Sequence, residues 1–546
     1  MKVTYFNKTV EIKEGTRLID LLDEDNKKKY YAAYVNNRLR ELDYILPNGD
    51  SVVEFLDLTN QDAVMLYQNT LRYLFAMAVN RLYKKVKVVF NFSVSRAIFA
   101  NISGINGPVN QKELQAIKEE MEKLIQADLP IKRFSTTIEE AKKIYNNLGY
   151  YDKSNMLDYR SENTVHMYKC ENYLNYMFGY MLPSTGYLTK FELRLYFPGL
   201  IIQYPRAELG GIIPEFKDEK VFSKALREEN EWGNIVKASS IWQMNKIVEA
   251  NQDGEFINIC ETKHNNMLAE LGHNILKDKD IRLIAIAGPS SSGKTTFCNR
   301  LRIELLSRGI KPVMISLDNY YLPKDQCPKT AKGEPDLEHI EALDIAQFDQ
   351  DMYNLIQGEA VTLPNYNFKT GLREPGETVK LDKGQPVMIE GIHALNDRLT
   401  PSIPANEKYK IYIAPQAQYH IDAQNPISMT DIRLIRRLVR DYKYRNSSAE
   451  ETLKMWENVR AGEFRWIYPT QSEANYVYNS ELTYELCVMK KYAMKVLTDV
   501  KPDSPYFITA NRLIKFLKYF KDIPDKWVPC NSLLREFIGG SIFYDN

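Results

Sequence analysis

The stretch Ile281–Thr296, IRLIAIAGPSSSGKTT, constrains this chain more than any other. Ile281–Ala287 is a short apolar run bounded by glycine, the pattern of a buried strand. Gly288-Pro289-Ser290-Ser291-Ser292-Gly293-Lys294-Thr295, with Thr296 behind it, follows G-x-x-x-x-G-K-[ST], the phosphate-binding loop. Glycines let the backbone turn tightly enough for successive N–H groups to face one anion. A helix predicted over Lys294–Ser307 and stopped by Gly309 adds its positive N-terminal end. Lys294 supplies a cation for the β- and γ-phosphates, and Thr295 a hydroxyl for Mg2+.

A length of 546 residues allows about three or four domains. Hydrophobic content of 44% and charged content of 26% are ordinary for a globular protein. The formal net charge is +1, so no global charge argues for nucleic acid or membrane. No apolar run is long enough to span a bilayer. The N-terminus, MKVTYFNKTVEIKEG, alternates like a strand and lacks a signal-peptide core. The 6 cysteines contain no C-x-x-C pair, and free thiols in a reducing cytoplasm account for them. Pattern and charge leave a monomer and a homo-oligomer equally open.

Residues 1–60 read as a small β-rich module. Lys2–Phe6 and Thr9–Ile12 alternate around Asn7-Lys8, Thr16–Leu22 is a short helix, and Tyr31–Val35 and Ser51–Phe55 are strand-like. This module resembles the TGS domain of threonyl-tRNA synthetases, a β-grasp fold. In residues 61–215, a helical pattern over Leu66–Leu82 precedes a strand at Val86–Phe92 and an amphipathic helix at Gln111–Gln126. The segment from Tyr168 to Gly186 and the helix Leu71–Met77 are similar to the second additional (editing) domain of the same synthetases, which implies an α+β fold. The metal and hydrolytic residues of that domain are missing. Its two helical histidines fall on Tyr73 and Met77, and its later cysteine and histidine on Met177 and Met181. Tyrosine and methionine cannot replace an i, i+4 imidazole pair, so a scaffold or recognition role is expected. No basic stripe supports tRNA binding. Residues 216–280 read as a helical connector, with helices at Ile241–Ala250 and Lys263–Ile275. His264 and His273 are expected on its surface.

From residue 281 strands and helices alternate, which argues for a parallel sheet with helices on both faces. Strands are predicted at Pro312–Leu317, Gln385–Ile389 and Lys410–Ile413, and helices at Ile345–Gln357 and Thr430–Tyr444. Asp318 ends a strand, where a carboxylate faces the ligand crevice of an open α/β sheet. Glu390-Gly391 ends another, at the place of a carboxylate that holds Mg2+. Arg433, Arg437 and Arg440 recur at i, i+4, i+7, with Arg436 beside them and Arg445 beyond. That cationic helix face suits a lid over transferring phosphates.

In this order and spacing, G-x-S-x-S-G-K-T, S-x-D-x-[FY]-Y, P-x-Y-x-F, E-G-I and R-R-x-x-R-D resemble the uridine kinase/phosphoribulokinase family over roughly 280–480. The resemblance implies an ATP- and Mg2+-dependent kinase of a small hydroxyl acceptor, such as a nucleoside. It implies that Gly288, Ser290, Ser291, Ser292, Gly293, Lys294, Thr295 and Thr296 bind the ATP phosphates, with Thr295 and Glu390 on the metal. Asp318 would be the base on a sugar 5′-hydroxyl, assisted by Lys294, Arg437 and Arg440. Tyr321, Glu338, His339, Tyr366, Phe368 and Arg436 would line the acceptor site. Two positions depart from the uridine kinases: Asn367 replaces an aspartate and Gly371 the histidine that reads the pyrimidine edge. A pentose phosphate or pantothenate acceptor therefore stays open, as does a nucleotide-dependent RNA-binding role. Residues 481–546 read as helices at Leu482–Leu497 and Asn511–Tyr519, without chemistry of their own.

Overall fold

Five short strands form one parallel sheet in the C-terminal half: β1 (Leu283–Ala287), β2 (Val313–Ser316), β3 (Val387–Glu390), β4 (Lys408–Ala414) and β5 (Tyr476–Asn479), in spatial order β2-β3-β1-β4-β5. All four pairings are parallel, with Ile284 opposite Met388 on one side and Tyr409 on the other. The computed structural model describes residues 1–543 apart from Asn106, Glu219, Ala331, Lys332, Phe368, Lys369 and Gln418, and apart from the side chains of Phe92, Lys220, Phe222 and Asn230. Phe368, expected at the acceptor, lies outside the described residues.

Strand β1 explains why its sequence is apolar throughout. Ile284 and Ile286 enter one core together with Phe297, Leu301, Leu271 and Ile435. Leu283, Ala285 and Ala287 enter a second core with Phe348, Met352 and Leu395. Both faces are covered, as a parallel sheet requires. The helices on the first face include Asp253–Lys277, Lys294–Ser307 and Met429–Tyr444. The helix expected at Lys263–Ile275 thus starts ten residues earlier and shares the core of β1. Its His264 is corrected from surface to interior. It is 2% exposed, and its Nε2–H donates to the Glu481 carbonyl at 2.9 Å. Burial, reinforced by Arg300, pushes its pKa well down. Ile257, Glu261, Leu268, Leu271 and Ile275 recur at i, i+3/i+4 on one buried face, and His264 falls within it. His273 is exposed as expected.

The front half carries a five-stranded sheet in the order Lys8–Glu11, Lys2–Tyr5, Ser51–Leu56, Ala32–Val35, Arg38–Arg40. Arg38–Arg40, not expected, is its edge strand, and Thr16–Leu22 shortens to a 3-10 turn at Leu18–Leu21. The helix Gln61–Leu82 follows, capped by the Asn60 side chain. It shares one core with that sheet and with a four-stranded sheet that contains Lys87–Val94 and Gly199–Gln203. Tyr73, Met77, Met177 and Met181 all lie in this core, 0–2% exposed. The Tyr73 hydroxyl donates to the Tyr173 carbonyl at 2.8 Å. All 6 cysteines are free thiols, and only Cys530 is exposed. Among the described residues no helix is long and apolar enough to cross a membrane.

The two halves are joined through a small hairpin, His420–Asp422 with Asn425–Pro426. Lys153 Nζ from the front half reaches Asp422 Oδ1 at 2.8 Å, and both side chains are 2% exposed. Phe90 N–H donates to the Ala423 carbonyl at 2.8 Å. A buried ion pair that loses one partner leaves an uncompensated charge, at a cost of about 3–5 kcal/mol. Asp422→Ala is therefore expected to destabilise the chain by that amount in urea unfolding, and Lys153→Met/Asp422→Leu to recover most of it.

Candidate active site

The phosphate-binding loop leaves β1 at Gly288 and enters the helix at Gly293. Gly293 has φ +90°, and a Cβ there would lie 2.5 Å from Leu533 Cδ2. Any other residue would meet both backbone strain and a clash. Lys294 Nζ donates to the carbonyls of Gly288 at 2.9 Å and Pro289 at 3.3 Å. Burial lowers the pKa of Lys294, while Glu390, Asp318 and Glu536 work in the opposite direction. Ser291 Oγ, Ser292 Oγ and Thr296 Oγ1 are buried without a hydrogen-bond partner. Orphaned buried hydroxyls are costly, and a phosphate in the loop would satisfy them.

Two strand tips face this loop. Ser316 Oγ at the end of β2 donates to Glu390 Oε1 at the end of β3, at 2.9 Å. Asp318, two residues beyond β2, opens to solvent inside the cleft. Crowding by protein raises its pKa against the pull of Lys294 and Arg445. Glu390 rises to about 7, through burial first and the Asp318 charge second. Two raised carboxylates beside a lysine are an arrangement that a divalent cation relieves.

The arginine helix Met429–Tyr444 divides its arginines among different tasks. Arg436 has no exposed surface. It pairs with Glu485 at 2.5 and 2.9 Å, donates to the Ser480 carbonyl at 2.7 Å, and approaches the carbonyls of Ser291 and Ser292 at 3.4 Å. Burial opposes its charge, but Glu485 outweighs burial and leaves its pKa raised. Expected on the acceptor, Arg436 instead stands behind the phosphate loop and clamps it. Arg433 Nε donates to the Ser290 carbonyl at 3.0 Å and shares the buried Glu463 with Arg460. Arg437 Nη1 donates to Ser290 Oγ at 2.7 Å. Arg440 is held by Asp441 at 2.7 Å and lies close enough to Lys294 to oppose its charge. Of the expected lid arginines, Arg437 reaches the loop serine, Arg440 acts on Lys294 and Arg445 on Asp318.

The acceptor side assembles on the opposite wall. The Tyr321 hydroxyl donates to the Leu337 carbonyl at 3.1 Å, and its ring lies 5.7 Å from that of Tyr366. Glu338 is half-buried against Gly462, where a Cβ would come within 2.5 Å of its own. Burial, then the Glu463 charge, raises the Glu338 pKa to about 7, opposed by Arg437 and Lys294. His339 accepts the Glu341 N–H at 3.1 Å and packs edge-on against Trp466, ring centroids 4.6 Å apart. The buried His393 also meets Trp466, at 6.0 Å, and burial drops its pKa to about 4. Tyr366 comes from the hairpin Val361–Asn367 with Leu372–Val379, which the sequence pattern did not reveal. Gly371 sits in its turn at φ +72° with its N–H donating to the Asn367 carbonyl at 2.7 Å. A left-handed turn residue explains a glycine at this position.

The C-terminal segment, expected to be without chemistry, reaches the loop. Leu533 packs on Gly293, Phe537 lies 5.1 Å from the Arg436 guanidinium, and Glu536 Oε2 accepts the Thr296 N–H at 3.2 Å. A carboxylate thus rests on the helix N-terminus, where an anion is favoured. No local signal in the sequence marks Glu536; only its distance of 240 residues in chain from Thr296 is closed by the fold.

A phosphate loop, two strand-tip carboxylates and an arginine helix stand in one cleft. Residues 283–485 match the model of the Phosphoribulokinase / Uridine kinase family. A uridine kinase of Staphylococcus haemolyticus is 29% identical over 196 residues, 36% of this chain and 86% of that enzyme. The front half is similar to threonine–tRNA ligases. That of Thermotoga neapolitana is 30% identical over 185 residues, 34% of this chain. The chain spans only 28% of that ligase. A solved Bacillus stearothermophilus structure, described as a possible uridine kinase, overlaps 39% of this chain and 98% of its own at 19% identity and a TM-score of 0.26.

The loop's position depends on the pair behind it. Glu485→Gln is expected to leave Arg436 buried and under-compensated, destabilising the C-terminal half by about 3–5 kcal/mol in denaturant titrations. Asp441→Asn, farther from the loop carbonyls, is expected to cost less.

Proposed function

We propose that residues 281–480 transfer the γ-phosphoryl group of ATP to a small hydroxyl acceptor, most simply the 5′-hydroxyl of a nucleoside. The observation that carries this reading is the pair of carboxylates, Asp318 and Glu390, both raised and both set beside Lys294 at the mouth of the loop. GTPases and motor ATPases share the loop; an acceptor wall built from Tyr321, Glu338 and Tyr366 is what a kinase adds.

The residues fit a Mg–ATP donor. The loop's orphaned hydroxyls and the N–H groups of the helix start would take the phosphates. Thr295 and Glu390 would hold Mg2+, which supplies charge neutralisation on the phosphate oxygens. Asp318 orients the acceptor hydroxyl and accepts its proton. Its raised pKa keeps it a stronger base than an ordinary aspartate. Lys294, Arg437 and Arg440 meet the charge that spreads over the transferring group. Lys294 must leave the Gly288 and Pro289 carbonyls to do so. Glu338 accepts a hydroxyl of the acceptor. Gly371 presents no side-chain donor to a base edge, so base selectivity is expected to be weak.

The deciding experiment is ATP consumption by the full chain over a panel of nucleosides, pentose phosphates, pantothenate and tRNA. One member of the nucleoside class is expected to be turned over. Lys294→Ala should reduce that turnover at least about a hundredfold, the scale of a lost transition-state contact, with unchanged circular dichroism. A fully active Lys294→Ala chain overturns the reading.

Glu338 adds a pH dependence. Its pKa is raised to about 7, so the carboxylate forms only as pH rises through that value. Below it the side chain is neutral and a weaker acceptor. The acceptor's KM at saturating ATP is expected to rise about tenfold per unit below pH 7, the limit for one required ionisation. Glu338→Gln should flatten that dependence while the pH profile of kcat remains.

A further inference from the structure

A second cleft lies apart from the one just described. It has a volume of about 1660 Å³ and runs along the seam between the front half and the C-terminal half. Its lining reaches Pro289 and Arg433 but contains none of Lys294, Asp318, Glu338 or Glu390. The guanidiniums of Arg72, Arg96, Arg206, Arg433 and Arg460 are among those that line it. The ion pairs made by these arginines among the described residues use two carboxylates, Glu208 and Glu463. The wall therefore carries a cationic excess in a chain whose net charge is +1.

Arg72 is the informative member. It is 6% exposed, and among the described residues it forms no ion pair. Its Nη2 donates to Asn69 Oδ1 at 2.5 Å, and its Nε is buried without a partner. Burial lowers its pKa to about 10. Among the carboxylates of the described residues only Asp422, already paired with Lys153, acts on this guanidinium; a buried charge so weakly compensated is expensive, and an anion from outside would offset that cost. Tyr204 connects Arg72 to the next cation: its hydroxyl accepts from Arg206 Nη1 at 2.6 Å. Arg206 and Arg460 in turn repel Arg96, whose pKa falls through burial first. Arg96 and Arg460 stack on the same ring, Phe464, at 4.9 and 4.6 Å. Planar forks held by aromatic rings and converging on one cavity suit phosphate oxygens, which they can contact bidentately.

We propose that this seam is a second anion site, which takes a phosphorylated small molecule with its phosphate groups on Arg72, Arg206 and Arg96. The site is separate from the phosphate loop and adjoins it. Arg433 lines the cleft with one edge and donates to the Ser290 carbonyl with Nε. Occupancy at the seam would thus be felt at the loop; that coupling rests on the kinase reading, whereas the binding does not.

Calorimetric titration of the full-length Lys294→Ala chain tests the proposal, with sodium pyrophosphate in one arm and ATP in the other. One saturable site is expected to survive the loop mutation and to weaken roughly tenfold or more, about 1.4 kcal/mol, on adding Arg206→Gln or Arg72→Gln. Should Arg72→Gln fail to fold, Arg206→Gln, nearer the rim, decides. Binding in both arms means that the phosphate group suffices. Binding in the ATP arm alone means that the base is also read, and either result supports the site. The proposal is overturned if Lys294→Ala abolishes all binding, if Arg206→Gln leaves it unchanged, or if neither probe binds and only an RNA oligonucleotide does.

Discussion

A guanidinium with no exposed surface holds the kinase-like half together. Arg436 takes both oxygens of Glu485 and the Ser480 carbonyl, and lies against the carbonyls of Ser291 and Ser292. One side chain thereby fixes the phosphate loop to the end of β5 and to the helix Glu485–Leu497. The loop's N–H groups can face an anion only because its carbonyls are occupied from behind. Phe537 lies against the same guanidinium, which brings the C-terminal segment, and with it Glu536, to the loop. The spacing of the cleft follows from this clamp.

Within the cleft, protein crowding pushes several charges toward neutrality. Asp318, Glu390 and Glu338 are raised, and Lys294 and Arg437 are lowered. Burial leads each shift, and opposite charges across the cleft hold it back. Groups poised in this way respond strongly to an added phosphate or cation, since the interaction is little screened. Glu536 on the Thr296 N–H is the exception. It supplies negative charge where a phosphate would rest, so a phosphate at that N–H has to displace it.

Reading the sequence found what is local. The loop, Asp318 and Glu390 at strand tips, and the arginine helix follow from short-range spacing, and all appear in one cleft. The front half's Tyr73, Met77, Met177 and Met181 were likewise legible as residues that pack. What could not be read is partnership across the chain. Helical spacing placed Arg436 and Arg437 together, but only the distant Glu485 and Ser290 decide which one is buried and which one faces the loop. His264 looked like a surface residue because a polar side chain does not reveal that its helix face packs against β1 and the segment after β5. The hairpin around Gly371 is polar on its outer side and carries too weak an alternation to announce itself. The cationic seam was invisible for the same reason: its arginines come from both halves of a chain that is nearly neutral overall.

The fate of the γ-phosphoryl group tests the account most directly. The full chain is incubated with ATP carrying oxygen-isotope labels on its γ-phosphate and with the acceptor found active, and products are followed by phosphorus NMR and mass spectrometry. The account predicts an intact labelled phosphoryl group on a hydroxyl of the acceptor, with little free phosphate. Free phosphate that has gained one oxygen from water, with the acceptor unmodified, would show an ATPase and contradict it.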